Sequence, residues 1–325
     1  MARIGRARLH AVGVAGLLAL IASASGVQAA ERVNVGQSIA SCICFLPMHV
    51  AQKIGIWKKY GLDVHIAVLR GDAQLQQALA SGAIDIGVGG GPGIGMLAKG
   101  VPAKAIAATA GSPGDMGLIV AAHSPITSVD KLKGKRVGVS SAGSLTYWLA
   151  KKIAQKKGWP SSDIHTVALG DFASNVAGLK SGAVDAIIFG VEAGYQLENK
   201  KEGRLLMNFA GIVPNFESHV AFASDAVIKT RPDVVRKFLQ GWFETVRWMT
   251  KHKNQSVAIA AAYTKFPAPV MSKTFDNVMP TMSRTGRFDP KALKVLSKSF
   301  VELGIVSKTP DMSKLIDTQF LPKTK

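Results

Sequence analysis

One phrase occurs twice in this chain and restricts the fold more than any other feature. Residues 75–90 read LQQALASGAIDIGVGG, and residues 175–190 read NVAGLKSGAVDAIIFG. Each copy is an amphipathic helical stretch, a Ser-Gly-Ala turn, an Asp, and a short apolar strand ending in Gly. The turns Ser81-Gly82-Ala83 and Ser181-Gly182-Ala183 lie 100 residues apart, with Asp85 and Asp185 in matching phase. Solenoid repeats run at about 20–50 residues. The longer period fits two similar α/β lobes, and matched strand ends predict a ligand cleft between them.

The first 30 residues contain no acid and carry Arg3, Arg6 and Arg8 ahead of the apolar run Ala11–Ala24. That run is shorter than the roughly 20 residues a membrane span needs. Val27-Gln28-Ala29 places small residues at the −3 and −1 positions of a cleavage site. Residues 1–29 therefore read as a secretory signal peptide, cleaved after Ala29, which predicts an exported, periplasmic protein. The remainder is long enough for two domains at about 100–200 residues each.

The formal net charge is +19, which raises the question of nucleic acid. The lysines, however, are scattered singly and form no basic-aromatic stripe, so nucleic acid is excluded as a partner. The charge reads as a solvated surface with some pull on anions. The only cysteines, Cys42 and Cys44, are separated by one residue. A bond between them would close a strained ring, and two cysteines make no disulfide framework, so they are expected as small semi-buried thiols.

Strands and helices alternate through most of the chain. The periodicity predicts a strand at Arg32–Val35, a loop at Gln37–Leu46, one helix from Pro47 to Lys59 and a strand from Leu62 to Val68. Asp72 is expected to cap the helix that ends at Ser81. Further strands are predicted at 84–88, 103–110, 118–121, 137–139, 164–168, 204–209 and 219–223. A long helix follows Ser144, and from Pro232 the chain reads as helical, with Phe238, Trp242, Val246 and Met249 on one face. Alternating units predict mostly parallel sheets flanked by helices. The helical tail has no sheet of its own, so it is expected to return to the first lobe. The expected division is residues 30–117 with 222–325 in lobe one, and 118–221 in lobe two. Two crossing strands would then form a hinge.

PMHVAQKIGIWKKYG (47–61), the Ala78–Gly87 phrase and VDKLKGKRVGV (129–139) resemble the periplasmic substrate-binding proteins of the nitrate/sulfonate/taurine class of ABC importers. That superfamily also holds binders of thiamine-pyrimidine precursors and pyrimidine synthases. The likeness runs from about Val33 to Phe222. It implies a two-lobed flytrap, monomeric and without a cofactor, that captures a small solute and passes it to an inner-membrane permease.

Ligands of open parallel sheets sit beyond the carboxyl ends of the strands. The candidate loops are Gln37–Phe45 with Ser41 and Cys42, Leu69–Asp72 with Arg70, Gly89–Pro92, Ser140–Ser144 and Phe189–Glu192. Gly90 and Gly91 let backbone approach a ligand closely, and Pro92 pre-sets a helical turn. Ser140, Ser141, Gly143, Ser144 and Thr146 surround a helix start whose free N–H groups favour an anion; one serine is needed as the cap. The matching loop in the family contacts ligand. Arg70 offers a partner for a carboxylate or sulfonate, and Gly190 and Glu192 end the second repeat. Trp148 reads as core and His219 as a hinge residue. Asp85 and Asp185 lie at the far end of their strands, which argues against a catalytic carboxylate pair.

Enzyme readings find little support. Gly93–Ala98 matches a loose dinucleotide pattern, a weak signal alone. The loop GVSSAG lacks a nucleophile elbow, and the histidines show no metal-ligand spacing. The synthase arm of the superfamily uses a cysteine-rich motif, of which SCICF (41–45) holds two cysteines. The expected solute is a small organic anion: a sulfonate, a taurine-like compound or a carboxylate.

Overall fold

A computed structural model describes residues 29–323; the expected signal segment through Gln28 lies outside them. The first half of the chain lays down β1 (Glu31–Gln37), β2 (Leu62–Val68), β3 (Ile86–Gly90) and β4 (Ala103–Ala110). The second lays down β5 (Met116–Ala121), β6 (Lys135–Val139), β7 (Ile164–Ala168), β8 (Ala186–Gly190) and β9 (Gly203–Asn208), before β10 (His219–Ser224). They form two five-stranded sheets, ordered β2-β1-β3-β10-β4 and β7-β6-β8-β5-β9. In the first, β1 is parallel to β2 and β3, and β10 slots antiparallel between β3 and β4. In the second, β6 is parallel to β7 and β8, and β5 slots antiparallel between β8 and β9.

The two sheets thus have one topology, and the repeated phrase supplies the central strand of each. Every residue of β3 and β8 is buried, as expected of strands covered on both faces. The chain crosses between sheets through residues 111–115 and 209–218. The expected lobe boundaries at 117/118 and 221/222 fall inside β5 and β10.

The helices are α1 (Leu46–Lys53), α2 (Ile56–Lys59), α3 (Asp72–Ala80), α4 (Ile94–Leu97), α5 (Leu145–Lys156), α6 (Phe172–Ser181), α7 (Val191–Asn199), α8 (Asp225–Thr230), α9 (Pro232–Lys251), α10 (Lys253–Thr264), α11 (Ala268–Val278) and α12 (Pro290–Glu302). None among the described residues is long and apolar enough to cross a membrane. The single helix expected over 47–59 is broken into α1 and α2. Gly55 takes φ +81° between them, a left-handed conformation that interrupts the hydrogen-bond ladder.

The tail packs where its apolar face finds a partner. Phe238, Trp242, Val246 and Met249 of α9 are all buried, and Trp57 of α2 stacks on Phe238 with ring centroids 5.2 Å apart. Helices α9 and α10 both lie against α1, while α11 also reaches α7 beside the second sheet.

The matched aspartates do matched work. Asp85 accepts the backbone N–H of Asn34 at 2.9 Å, and Asp185 that of Arg136 at 2.8 Å. Each carboxylate therefore pins its strand to the neighbouring one. Arg231 pairs with Asp85, and the Arg136 side chain with Asp185 at 3.1 Å.

Candidate functional site

The carboxyl ends of β3 and β8 face each other with the two crossovers between them. At the first end, Gly91 has no room for a side chain: a Cβ would stand 1.9 Å from the Glu217 carbonyl oxygen. Its N–H donates to the Ser218 carbonyl at 2.9 Å, which fixes the returning crossover against β3. Pro92 follows in the first turn, as expected.

Asp72 departs from the sequence reading. It does not cap α3, whose N-cap is Gly71. Its buried carboxylate accepts the Gly90 N–H at 2.8 Å and, across the cleft, the Leu145 N–H at 3.4 Å. Leu145 is the first residue of α5, so the anion at that helix N-terminus is the protein's own.

The hydroxyl loop is likewise largely satisfied from within. Ser144 caps α5, its Oγ accepting the Tyr147 N–H at 3.2 Å and donating to the Ser141 carbonyl at 2.7 Å. Thr146 Oγ1 accepts the Ser140 N–H at 2.9 Å and lies 3.0 Å from both the Ser140 and Ser144 hydroxyls. Gly143 makes the preceding turn at φ +73°. Ser141 Oγ points to the Ala73 N–H at 3.5 Å, again across the cleft. Arg70, expected to meet an anion, is committed elsewhere: its Nε lies 3.0 Å from Asp171 Oδ2 and its Nη2 donates to Ser174 at 3.2 Å. It joins the two sides at the mouth, half-exposed, and does not point a charge into the interior.

Glu192 does the opposite. Its carboxyl folds back over Gly190, where a Cβ would stand 2.1 Å from Oε1. The residue is 1% exposed, and neither carboxyl oxygen completes a hydrogen bond of normal geometry. Burial pushes its pKa up to about 8; the N–H groups of Glu192 and Ile43 pull the other way, and the nearby Asp115 charge adds to the rise.

The first crossover meets the start of β10 at Asp115 and His219, both buried, with Nε2 to Oδ2 at 2.5 Å. Burial disfavours the imidazolium, but the charge and hydrogen bond of Asp115 outweigh it and raise the His219 pKa. Phe45 sets its ring edge-on to His219 at 5.5 Å. His219 thus ties the start of β10 to the first crossover and to the loop after β1.

Cys42 and Cys44 are not free thiols. They form a disulfide with Cα atoms 5.2 Å apart, inside the range such bonds use, because Ile43 between them begins a short 3-10 turn, Ile43–Phe45, that brings residues two apart together. Behind it, Gln37 ties the loop down: Nε2 donates to Ile39 O at 2.7 Å and to the Tyr263 hydroxyl, and Oε1 meets His49 Nε2 at 2.7 Å. Burial pushes His49 down to about 4, so it is neutral there. Ser41 donates its N–H to Tyr263 at 3.3 Å.

The expected residues Ser41, Cys42, Gly90, Gly91, Pro92, Ser140, Ser141, Gly143, Ser144, Thr146, Gly190 and Glu192 lie in the loops and strand ends around the carboxyl ends of β1, β3, β6 and β8, and Arg70 is held by Asp171. Sequence reasoning missed Asp72, Asp115 and the Gln37–His49–Tyr263 cluster. Asp72 was hidden by its resemblance to a cap, and Asp115 by lying in a Gly- and Pro-rich turn. Tyr263 comes from the tail, 226 residues beyond Gln37, where no local signal exists.

Residues 43–256 match the NMT1/THI5-like family. The chain belongs to that family. It is 26% identical over 218 residues to a binding protein of Brucella abortus, the match spanning 66% of each chain. It is also 23% identical over 253 residues to the binding protein YtlA of Bacillus subtilis, spanning 77% of this chain and 75% of that one. Among solved structures, the alkanesulfonate-binding protein SsuA of Xanthomonas axonopodis bound to MOPS superposes with a TM-score of 0.76 at 18% identity, covering 88% and 98% of the two chains. The periplasmic aliphatic sulphonate binding protein SsuA of Escherichia coli gives 0.72 at 22% identity, covering 91% and 95%. The nitrate-binding protein NrtA of Synechocystis gives 0.70 at 14% identity, covering 87% and 84%. The fold of this family member is that of the periplasmic binding proteins of ABC import systems.

Proposed function

We propose that this chain is the extracytoplasmic solute-binding component of an ABC importer and that its cleft takes a small solute rich in N–H donors or bearing a cationic nitrogen. An amine, an amidine or an amino-substituted nitrogen heterocycle has that chemistry. The observation that carries the reading is Glu192: a buried carboxyl with two unpartnered oxygens costs about 1–3 kcal/mol or more unless something donates to it. The positive charges that would favour an anion lie elsewhere, since Arg70 pairs with Asp171 and the α5 N-terminus faces Asp72. Export rests on the Arg-rich start, the short apolar run and the Val27-Gln28-Ala29 site. Delivery to a permease rests on the family and on the import-system proteins that share the fold.

A thermal-shift screen followed by calorimetry tests this. Amine- and amidine-bearing solutes are expected to bind unchanged and not be consumed, and Glu192→Gln is expected to weaken them at least about tenfold. That loss corresponds to one charge-assisted hydrogen bond of about 1.5–3 kcal/mol.

A second reading, a sulfonate, taurine-like or carboxylate solute, is favoured by the Ser140–Thr146 hydroxyls and by the sulfonate and nitrate that the SsuA and NrtA proteins are named for binding. Under that reading organic anions bind instead, and a Ser141→Ala, Ser144→Ala double variant weakens them about tenfold or more while Glu192→Gln does not.

A further inference from the structure

Four side chains where the first loop meets the two crossovers carry chemistry that solute capture does not use. One donor atom from each of Cys42, Cys44, Asp115 and His219 lies within 4.8 Å of the others, and all four residues are buried. Two sulfurs, an imidazole nitrogen and a carboxylate oxygen suit a borderline or soft cation such as Zn2+. With metal–ligand bonds of about 2.0–2.3 Å, tetrahedral donors sit roughly 3.3–3.8 Å apart, so donors now up to 4.8 Å apart would close by about 1 Å, while the two sulfurs, once their bond is opened, would separate to that spacing. A second observation points the same way. Asp115 Oδ1 is buried without a hydrogen-bond partner, and buried polar atoms are rarely left so.

The disulfide decides whether the donors are available. We propose that the Cys42–Cys44 bond is a redox lock on a cation site: closed, it withholds both sulfurs, and opened, it lets Cys42, Cys44, His219 and Asp115 hold one thiophilic cation. Opening by an external dithiol passes two electrons and two protons to the bond. Two thiols result, and the dithiol closes to its own disulfide. Cation binding then releases the thiol protons to solvent. The cysteines belong to the loop after β1, Asp115 ends the first crossover and His219 opens β10 directly after the second, so a bound cation ties that loop to both crossings. Glu192 is not needed, and the site stands whether the solute is cationic or anionic.

The test uses the full chain, reduced with a phosphine, and Co2+ and Zn2+ as probes. Reduced protein is expected to take up one Co2+ per chain with a thiolate-to-metal charge-transfer band, and Zn2+ should abolish that band. Oxidised protein and a Cys42→Ser, Cys44→Ser variant should bind Zn2+ at least about 100-fold more weakly. His219→Gln should lose at least about 10–100-fold, the loss that removal of an outer partner alone causes, yet keep the band, because both thiolates remain. Reduced wild type binding Zn2+ no better than the oxidised protein, or forming no band, overturns the proposal. That comparison uses one polypeptide and stands even if the serine variant fails to fold.

Discussion

The two copies of the repeated phrase end on the same geometry and reach opposite outcomes. Gly90 and Gly190 each close a buried strand, and each lies under a carboxylate: a Cβ would stand 2.7 Å from Asp72 Oδ2 at the first and 2.1 Å from Glu192 Oε1 at the second. Asp72 is answered by two backbone N–H groups, one from each side of the cleft. Glu192 completes no hydrogen bond. A satisfied carboxylate holds structure together, while an equally buried, unsatisfied one is left to meet something from outside. The difference between equivalent strand ends is the ground on which the proposed solute site rests.

The largest expected break of this comparison is steric. Gly91→Ala drives a Cβ into the Glu217 backbone, 1.9 Å away, and should cost at or above the ~1–3 kcal/mol of ordinary overpacking. Gly190→Ala meets only the Glu192 side chain, which can rotate away. It should cost less stability but disturb solute binding. Urea denaturation of the two variants measures the gap, and equal losses would mean that Glu192 is as rigidly held as backbone.

The second prediction concerns pH. A carboxyl at about 8 in the folded protein and about 4.3 when unfolded binds more protons folded than unfolded between those values. Stability therefore falls as pH rises from about 4.3 to 8, with no further loss from this group above that range. Glu217, raised to about 7 by burial against the opposing Asp289 N–H, adds to the decline over its lower part. Glu192→Gln should flatten the upper part of the decline, from about 7 to 8. Parallel wild-type and variant profiles there would remove Glu192 as its source.

The smallest effect separates Asp72 from Asp171, the acids that open α3 and α6. Asp72→Ala leaves the buried Gly90 N–H unpaired, at about 1–3 kcal/mol. Asp171→Ala removes an N-cap on Ser174, at about 0.5–2 kcal/mol, and a half-exposed Arg70 pair of at most about 1 kcal/mol. Equal destabilisation of both would make Asp72 an ordinary cap. Chemical denaturation at neutral pH decides it.

Periodicity and turn residues made most of this fold legible. Ala103–Ala110 was placed to the residue, and most other strands lie within a few residues of their expected ends, because apolar alternation and glycine stops are local signals. Gly55 shows the limit: the same spacing of Val50, Ile54 and Trp57 serves one helix or two, and a left-handed glycine chose two. Among the site residues, the glycines and Glu192 were legible from their place at strand ends. The hydroxyl cluster was found by composition, but its partners were not, since a serine that caps and a serine that binds share one sequence.

By itself the sequence determined the doubled α/β unit, the strand ends that face the cleft and the family to which the chain belongs. The first two follow from short-range patterns of burial and backbone conformation, and the family from the likeness of the segments at 47–61, 78–87 and 129–139 to known proteins. Only the tertiary structure decided which charges are answered. It gave Arg70 to Asp171, the α5 N-terminus to Asp72, His219 to Asp115 and Cys42 to Cys44, and it left both Glu192 oxygens without a complete hydrogen bond. These pairings, apart from the adjacent cysteines, join residues many positions apart, and electrostatic satisfaction depends on distance in space, which no local pattern encodes.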